Sequence, residues 1–287
     1  MPWINYHSHS LYCDGKASPE EFIRQAIAEG FPAYGYSSHA PVPFASKWNM
    51  AADKLAEYLA EIGRIKKAYG DKIQVYAGLE IDYIEGIRGR RFSGPDNISL
   101  DFAIGSVHYI GQFPDQSYFC FDGQPEAFFN GIELLYRNDF RKAITAYFQS
   151  VMHMTEFDQP DIIGHLDKIK MHNSTRAYLD ESEKWYTDLV EETLEIILQQ
   201  DCIVEVNTRG LYKHNPPMLY PGISILKRIF QKNIPIILNS DAHQPGELSL
   251  GFSHAAELLL DIGFRSFRVL LDDRWQDIAF DQKGLLI

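Results

Sequence analysis

The chain has 287 residues, 45% hydrophobic and 23% charged, with a formal net charge of −12. That is ordinary globular composition, and the acidic balance argues against a nucleic-acid binder, which normally carries a basic face. No run of about 18 uncharged apolar residues occurs, so no membrane-spanning helix is expected.

The first residues lack a basic stretch followed by an apolar core, so a cytoplasmic location is expected. Cys13, Cys120 and Cys202 are odd in number and widely spaced, which fits neither a disulfide framework nor a zinc finger. The densest basic cluster, Arg88-Gly89-Arg90-Arg91, reads as solvated surface. Barrels of alternating strands and helices commonly use about 250 residues as one domain, and a single unit over 1–287 is expected.

In chain order, a strand-like run at 3–6 comes first. Ser18-Pro19-Glu20-Glu21 then marks a helix start, with Ser18 as N-cap, Pro19 at the first position and Glu21 completing a capping box. That helix turns Phe22, Ala26 and Ile27 inward and ends near Gly30. A strand at 33–37, a helix at 51–69 and a strand at 73–82 follow, then an irregular stretch at 85–99. Next come a strand at 101–107, an irregular stretch at 112–125, and a helical stretch at 128–154 broken near Asn138. Strands at 161–165, 202–207 and 234–239 alternate with helices at 183–200, 222–232 and 253–263. A last run, Phe267 to Leu271, closes or flanks the sheet. Strands alternating with helices imply a mainly parallel sheet, and short apolar runs such as Ile234 to Leu238 suit strands covered on both faces. Seven such units favour closure into a barrel over an open sheet.

Metal-type ligands recur at the ends of these strands. His7 and His9 are two apart and face one side of an extended segment, with Asp14 close behind. Glu80 ends an apolar run, where a buried carboxylate is costly without a partner. His39, His108 and His165 each end another, and Asp241-Ala242-His243 follows the 234–239 strand. Such residues at the C-terminal ends of successive strands converge on one rim of a barrel, a pattern that points to a metal-dependent hydrolase. His153 reads as structural and His254 is set aside, whereas His172 and His214 are possible pocket residues.

The motifs His7-Ser8-His9, Ser37-Ser38-His39-Ala40-Pro41, Gly78-Leu79-Glu80, Gly105-Ser106-Val107-His108-Tyr109, Gly164-His165-Leu166-Asp167, Glu205-Val206-Asn207-Thr208 and Ser240-Asp241-Ala242-His243 resemble those of the PHP family (polymerase and histidinol phosphatase), in particular its monofunctional histidinol-phosphate phosphatases. The resemblance implies a distorted (β/α)7 barrel with a trinuclear centre of zinc, iron or manganese at the C-terminal rim. It implies one metal on His7, His9, Glu80 and Asp241, a second on Glu80, His108 and His165, and a third on His39, His243 and Asp14. Family members often place a histidine near that last position, where this chain has Cys13-Asp14-Gly15.

On this reading Glu80, Asp241 and His243 form the catalytic set, and a hydroxide bridging two metals attacks phosphorus. Arg209 and, more weakly, Arg176 are the cations proposed for the phosphate. Glu85, Asp115, Tyr109 and Tyr212 are candidates to recognise the rest of a small phosphomonoester. The implied reaction is hydrolysis of histidinol phosphate in histidine biosynthesis; the alternative is another PHP phosphoesterase acting on nucleotides or other small phosphomonoesters.

Overall fold

A computed structural model describes residues 2–84 and 98–287 of the chain. Its strands are β1 (Ala33–Tyr36), β2 (Gln74–Asp82), β3 (Phe102–Ser106), β4 (Tyr109–Gln112), β5 (Tyr118–Cys120), β6 (Ile162–Ile163), β7 (Ile203–Asn207) and β8 (Ile236–Asn239). Six of them form one parallel sheet in the order β1-β2-β3-β6-β7-β8. Every residue of β1, β3, β7 and β8 is buried, as expected of strands covered by helices outside and by side chains within.

The run expected as a first strand at 3–6 is held only by single bridges, Asn5 to Tyr34 and Ser8 to Ala242, both parallel. Side-chain amides replace the missing ladder. Asn239 Oδ1 accepts from the Tyr6 backbone N–H at 2.8 Å, and Asn5 Oδ1 accepts from that of Ser240 at 3.1 Å. With the backbone bonds Gly35 N–H to Asn5 O (3.0 Å) and His9 N–H to Ala242 O (2.8 Å), the segment lies between β1 and the end of β8. It is the seventh stave, and it curls the sheet into a distorted barrel.

The helices are α1 (Pro19–Ala28), α2 (Leu55–Tyr69), α3 (Pro125–Tyr136), α4 (Phe140–His153), α5 (Lys184–Gln199), α6 (Arg209–Lys213), α7 (Ile223–Gln231) and α8 (Phe252–Ile262). The capping box at Ser18 forms with both reciprocal bonds. The long helical stretch divides at Arg137 and Asn138, both in the left-handed region with φ of 54° and 61°. The stretch expected to be irregular at 112–125 supplies half of the β4–β5 hairpin.

The run near Phe267 flanks the barrel and does not close it. It is β9 (Ser266–Leu271), which pairs antiparallel with β10 (Arg274–Asp281), itself paired with β11 (Gly284–Leu285). Gln74, at the start of β2, exchanges hydrogen bonds with Asp272 at 2.8 Å in each direction. The Tyr6 hydroxyl donates to the Leu270 carbonyl. This small sheet therefore covers the N-terminal ends of the staves and leaves the C-terminal rim free for chemistry.

Candidate active site

Six strand ends and the closing segment deliver their polar side chains to that rim. Glu80 is 1% exposed and lies at the hub. Its Oε2 is 2.9 Å from His39 Nδ1, 3.2 Å from His7 Nε2 and 3.5 Å from His9 Nε2. Its Oε1 is 3.0 Å from His165 Nε2 and 3.7 Å from His108 Nε2. Asp241 Oδ1 is 3.2 Å from His9 Nε2, and Asp14 Oδ2 is 3.1 Å from His243 Nε2. Asp241 holds a left-handed backbone with φ of 52°, a conformation uncommon outside glycine and frequent at functional sites. The hub needs a glycine beside it: a Cβ on Gly164 would stand 2.4 Å from Ser106 Oγ, the hydroxyl that donates to Glu80 Oε1 at 2.7 Å.

Two of these contacts are hydrogen bonds, His165 Nε2 with Glu80 Oε1 and His243 Nε2 with Asp14 Oδ2, but most are close without being so. His7 Nε2, His9 Nε2, His39 Nδ1, Asp14 Oδ1 and Glu80 Oε2 are buried and have no hydrogen-bond partner. Left so, each such group costs about 1–3 kcal/mol; aimed at a shared cation, the same arrangement is satisfied. Among the described residues, three groups have ligand atoms mutually within 4.8 Å: His9, Asp14, His39 and His243; His7, His9 and Asp241; and His39, Glu80 and His108. A set of imidazole nitrogens and carboxylate oxygens fits divalent first-row metals. The partition differs in detail from the one the motifs imply, since His9 joins two groups and His39 stands beside Glu80 and His108.

Buried partners hold the far side of several rings. Glu205 Oε1 lies 2.6 Å from His7 Nδ1 and Asp82 Oδ1 lies 2.6 Å from His108 Nδ1. Such outer carboxylates fix ring orientation and raise ligand basicity. On the far side of His9, Nδ1 faces the Cys13 sulfur at 3.6 Å and Asp14 Oδ1 at 3.7 Å.

Above this cluster opens a cleft of about 360 Å³, lined by Asp14, His39, Glu80, Asp241 and His243 on its floor and by Trp48, Asp122, Lys168, Arg209, Lys213 and His214 among its walls. A model of the PHP domain matches residues 5–209. The chain belongs to the PHP domain family. Among curated relatives, the PHP chain is 28% identical over 264 residues to a probable histidinol-phosphatase of Deinococcus radiodurans, covering 91% of this chain and 94% of that protein. It is 26% identical to the histidinol-phosphatase of Bacillus subtilis, covering 88% and 97% respectively. Its fold matches that of histidinol phosphate phosphatase from Lactococcus lactis, solved with zinc, L-histidinol and phosphate, at a TM-score of 0.67 and 21% identity, covering 99% of this chain and 98% of that one.

Within the PHP chain, burial works against charge on His7, His9, His39, Glu80 and Asp241, and neighbours decide the outcome. For His7, burial is outweighed by the carboxylates of Glu205, Glu80 and Asp241, and its pKa stands well above the ordinary value. For His9, burial is reinforced by His243 and His39, and its pKa falls well below. Burial likewise opposes ionisation of Glu80, but His39, His7 and His108 hold it well below the usual carboxylate range. Asp241 is held down against burial by His7 and Arg209. His39, despite burial, is pushed up to about 9 by Glu80.

Of the two cations expected at the phosphate, Arg209 lines the cleft and donates from Nη1 to the Asp241 carbonyl at 2.7 Å. Arg176 is exposed, outside the cleft lining, and rests its guanidinium on the Phe129 and Phe140 rings at 5.3 and 5.6 Å. Lys168, by contrast, lines the cleft, with its Nζ 2.7 Å from Asp122 Oδ2. Burial opposes the Lys168 charge, and Asp122, Asp241 and Glu80 outweigh it and raise its pKa. The only sequence signal for Lys168 is its position three residues beyond His165; nothing marks Asp122, which lies just past β5.

Tyr109 stacks on Trp48, and the Tyr212 hydroxyl donates to the Ser240 carbonyl at 2.6 Å. Asp115 is exposed and accepts from its own turn at Ser117. Glu85 and the Arg88–Arg91 cluster lie outside the described residues. His214 lines the cleft, His172 bonds the Gly123 carbonyl, and His254 is exposed on α8.

Proposed function

We propose that the protein is a metal-dependent phosphomonoesterase that hydrolyses L-histidinol phosphate to L-histidinol and phosphate. The observation that carries this reading is the convergence of His7, His9, His39, Glu80, His108, His165, Asp241 and His243 on one rim, with buried ligand atoms that lack hydrogen bonds. The full-length similarity to proteins named histidinol-phosphatase supplies the substrate.

In this proposal three metals are held, one by His7, His9, Glu80 and Asp241, one by Glu80, His108 and His165, and one by His39, His243 and Asp14. Zinc fits the donor set, as do iron and manganese. When bound, such ions supply Lewis acidity, which lowers the pKa of water and neutralises charge at phosphorus. The chain's own residues do the rest. Arg209 and Lys168 set fixed positive charge in the cleft wall for phosphate oxygens, which favours the more highly charged transition state. Arg209 also grips the carbonyl of Asp241, so the phosphate-facing cation and a metal-facing carboxylate are braced together. Lys213 adds a third cation, paired with Glu247 at 2.6 Å. Trp48, backed by Tyr109, forms an aromatic wall suited to a planar ring. Action in the cytoplasm belongs to the same proposal.

Phosphate release from histidinol phosphate should be measured beside nucleotides and sugar phosphates, with metal restored after chelation. A kcat/KM preference of about 100-fold or more, roughly 2.7 kcal/mol in barrier, is expected for histidinol phosphate. Flat, weak activity across the panel would retain a metallophosphoesterase and overturn this substrate.

A further inference from the structure

Asp82, the last residue of β2, is fully buried, and its two oxygens serve different elements. Oδ1 lies 2.6 Å from His108 Nδ1, so the Nε2 of that ring faces Glu80 and His165. Oδ2 accepts from Asn49 Nδ2 at 2.7 Å. The same Asn49 amide donates to the Ala40 carbonyl at 3.0 Å, and the Tyr109 hydroxyl donates to Asn49 Oδ1 at 3.4 Å. Asn49 thus pins both ends of the segment 41–50 that follows His39. Its neighbour Trp48 stacks on Tyr109 (5.6 Å between centroids, 12° between planes) and meets the His39 and His108 rings edge-on at 4.5 and 5.2 Å. Trp48 is also a wall of the cleft.

We infer that Asp82 is a positioning residue with two roles: it orients His108 toward the metal site and, through Asn49, latches the segment that carries Trp48 into the cleft. Ligand geometry on the floor and the shape of the aromatic wall are then set by one carboxylate. The inference rests on the metal-binding part of the proposed function and not on the identity of the substrate. Glu205 provides the contrast. Its oxygens accept from His7 Nδ1, Asn239 Nδ2, the His165 N–H and Asn207 Nδ2, all within the barrel. Its loss should disturb ligands without touching the wall.

The test uses the zinc-loaded full chain and two readouts that need no substrate: zinc affinity by competition with a chromophoric chelator, and amide hydrogen exchange by mass spectrometry. D82A should weaken the most loosely held zinc by about 10–100-fold and speed exchange in the 41–50 peptide, with α5 peptides unchanged. N49A should speed exchange in 41–50 and leave zinc affinity as in the wild type. E205Q should weaken zinc and leave 41–50 protected. Should D82A fail to fold, the near-isosteric D82L, which also removes both acceptors and suits a buried position, takes its place with the same two expectations. Wild-type zinc affinity or wild-type exchange at 41–50 in the Asp82 variant would overturn the inference. So would an N49A protein that loses zinc as readily as the Asp82 variant. A zinc-binding protein inactive on histidinol phosphate would overturn the substrate reading alone.

Discussion

Both oxygens of Glu80 lie within 3.7 Å of histidine nitrogens that arrive from four other segments of the barrel. A neutral amide at that position keeps the shape and removes the charge that gathers them. Glu80→Gln should therefore strip metal and lower kcat by about 100-fold or more, at least roughly 2.7 kcal/mol of barrier; metal content and turnover measured on the same preparation check it. A variant with full metal and full turnover would refute the proposal that Glu80 holds metal. His39 sets a pH dependence. Its pKa in the folded, metal-free chain is raised to about 9, against about 6.5 when unfolded. Its stabilising contribution is thus fully present below about 6.5 and is lost as pH rises through about 9. In the proposed site a zinc on His39 would displace that proton, so zinc affinity should rise over the same interval. Chelated protein should melt lower at pH 9 than at pH 6.5 through this group, and His39→Gln should flatten both trends.

At the scale of elements, local chemistry was legible where it is decided locally. The Ser18 cap is satisfied within four residues, by Ser18 Oγ accepting from the Glu21 N–H and Glu21 Oε2 accepting from the Ser18 N–H. Ser18→Ala should cost about 1 kcal/mol of stability in urea unfolding, with turnover unchanged, because α1 stands on the outer face of the barrel. The first stave was not legible as what it is. Its alternation reads as a strand, yet Asn5, Asn239 and Ser240 substitute side-chain bonds for the ladder, and those partners lie 230 residues or more along the chain. The α3–α4 break was legible near Asn138, where Arg137 and Asn138 take the left-handed region. The β4–β5 hairpin shows in sequence only as an irregular stretch without a strong turn dipeptide, so tertiary packing decides it.

For the whole molecule, the order of strands follows from a parallel sheet whose staves are consecutive in the chain, and the rim follows from where the histidines fall within those staves. His7, His9, Glu80, His108, His165 and Asp241 were readable because each sits beside a short apolar run, and burial of that run carries the polar end to a common rim. Their outer partners were not readable in this way. Asp82 and Glu205 look like any strand carboxylate, and only the barrel brings them 2.6 Å from His108 and His7. The cations expected at a phosphate divide likewise. Arg209 follows the β7 end and reaches the cleft, whereas Arg176 is drawn to the faces of Phe129 and Phe140, and Lys168 lines the cleft beside Asp122. By itself the sequence determined the alternation of elements and the identities of the metal-type ligands, because both are set by spacing along one segment. Which ligands share a centre, which carboxylate braces which ring, and which cation faces the cleft are distances between segments, and only closure of the barrel decides those.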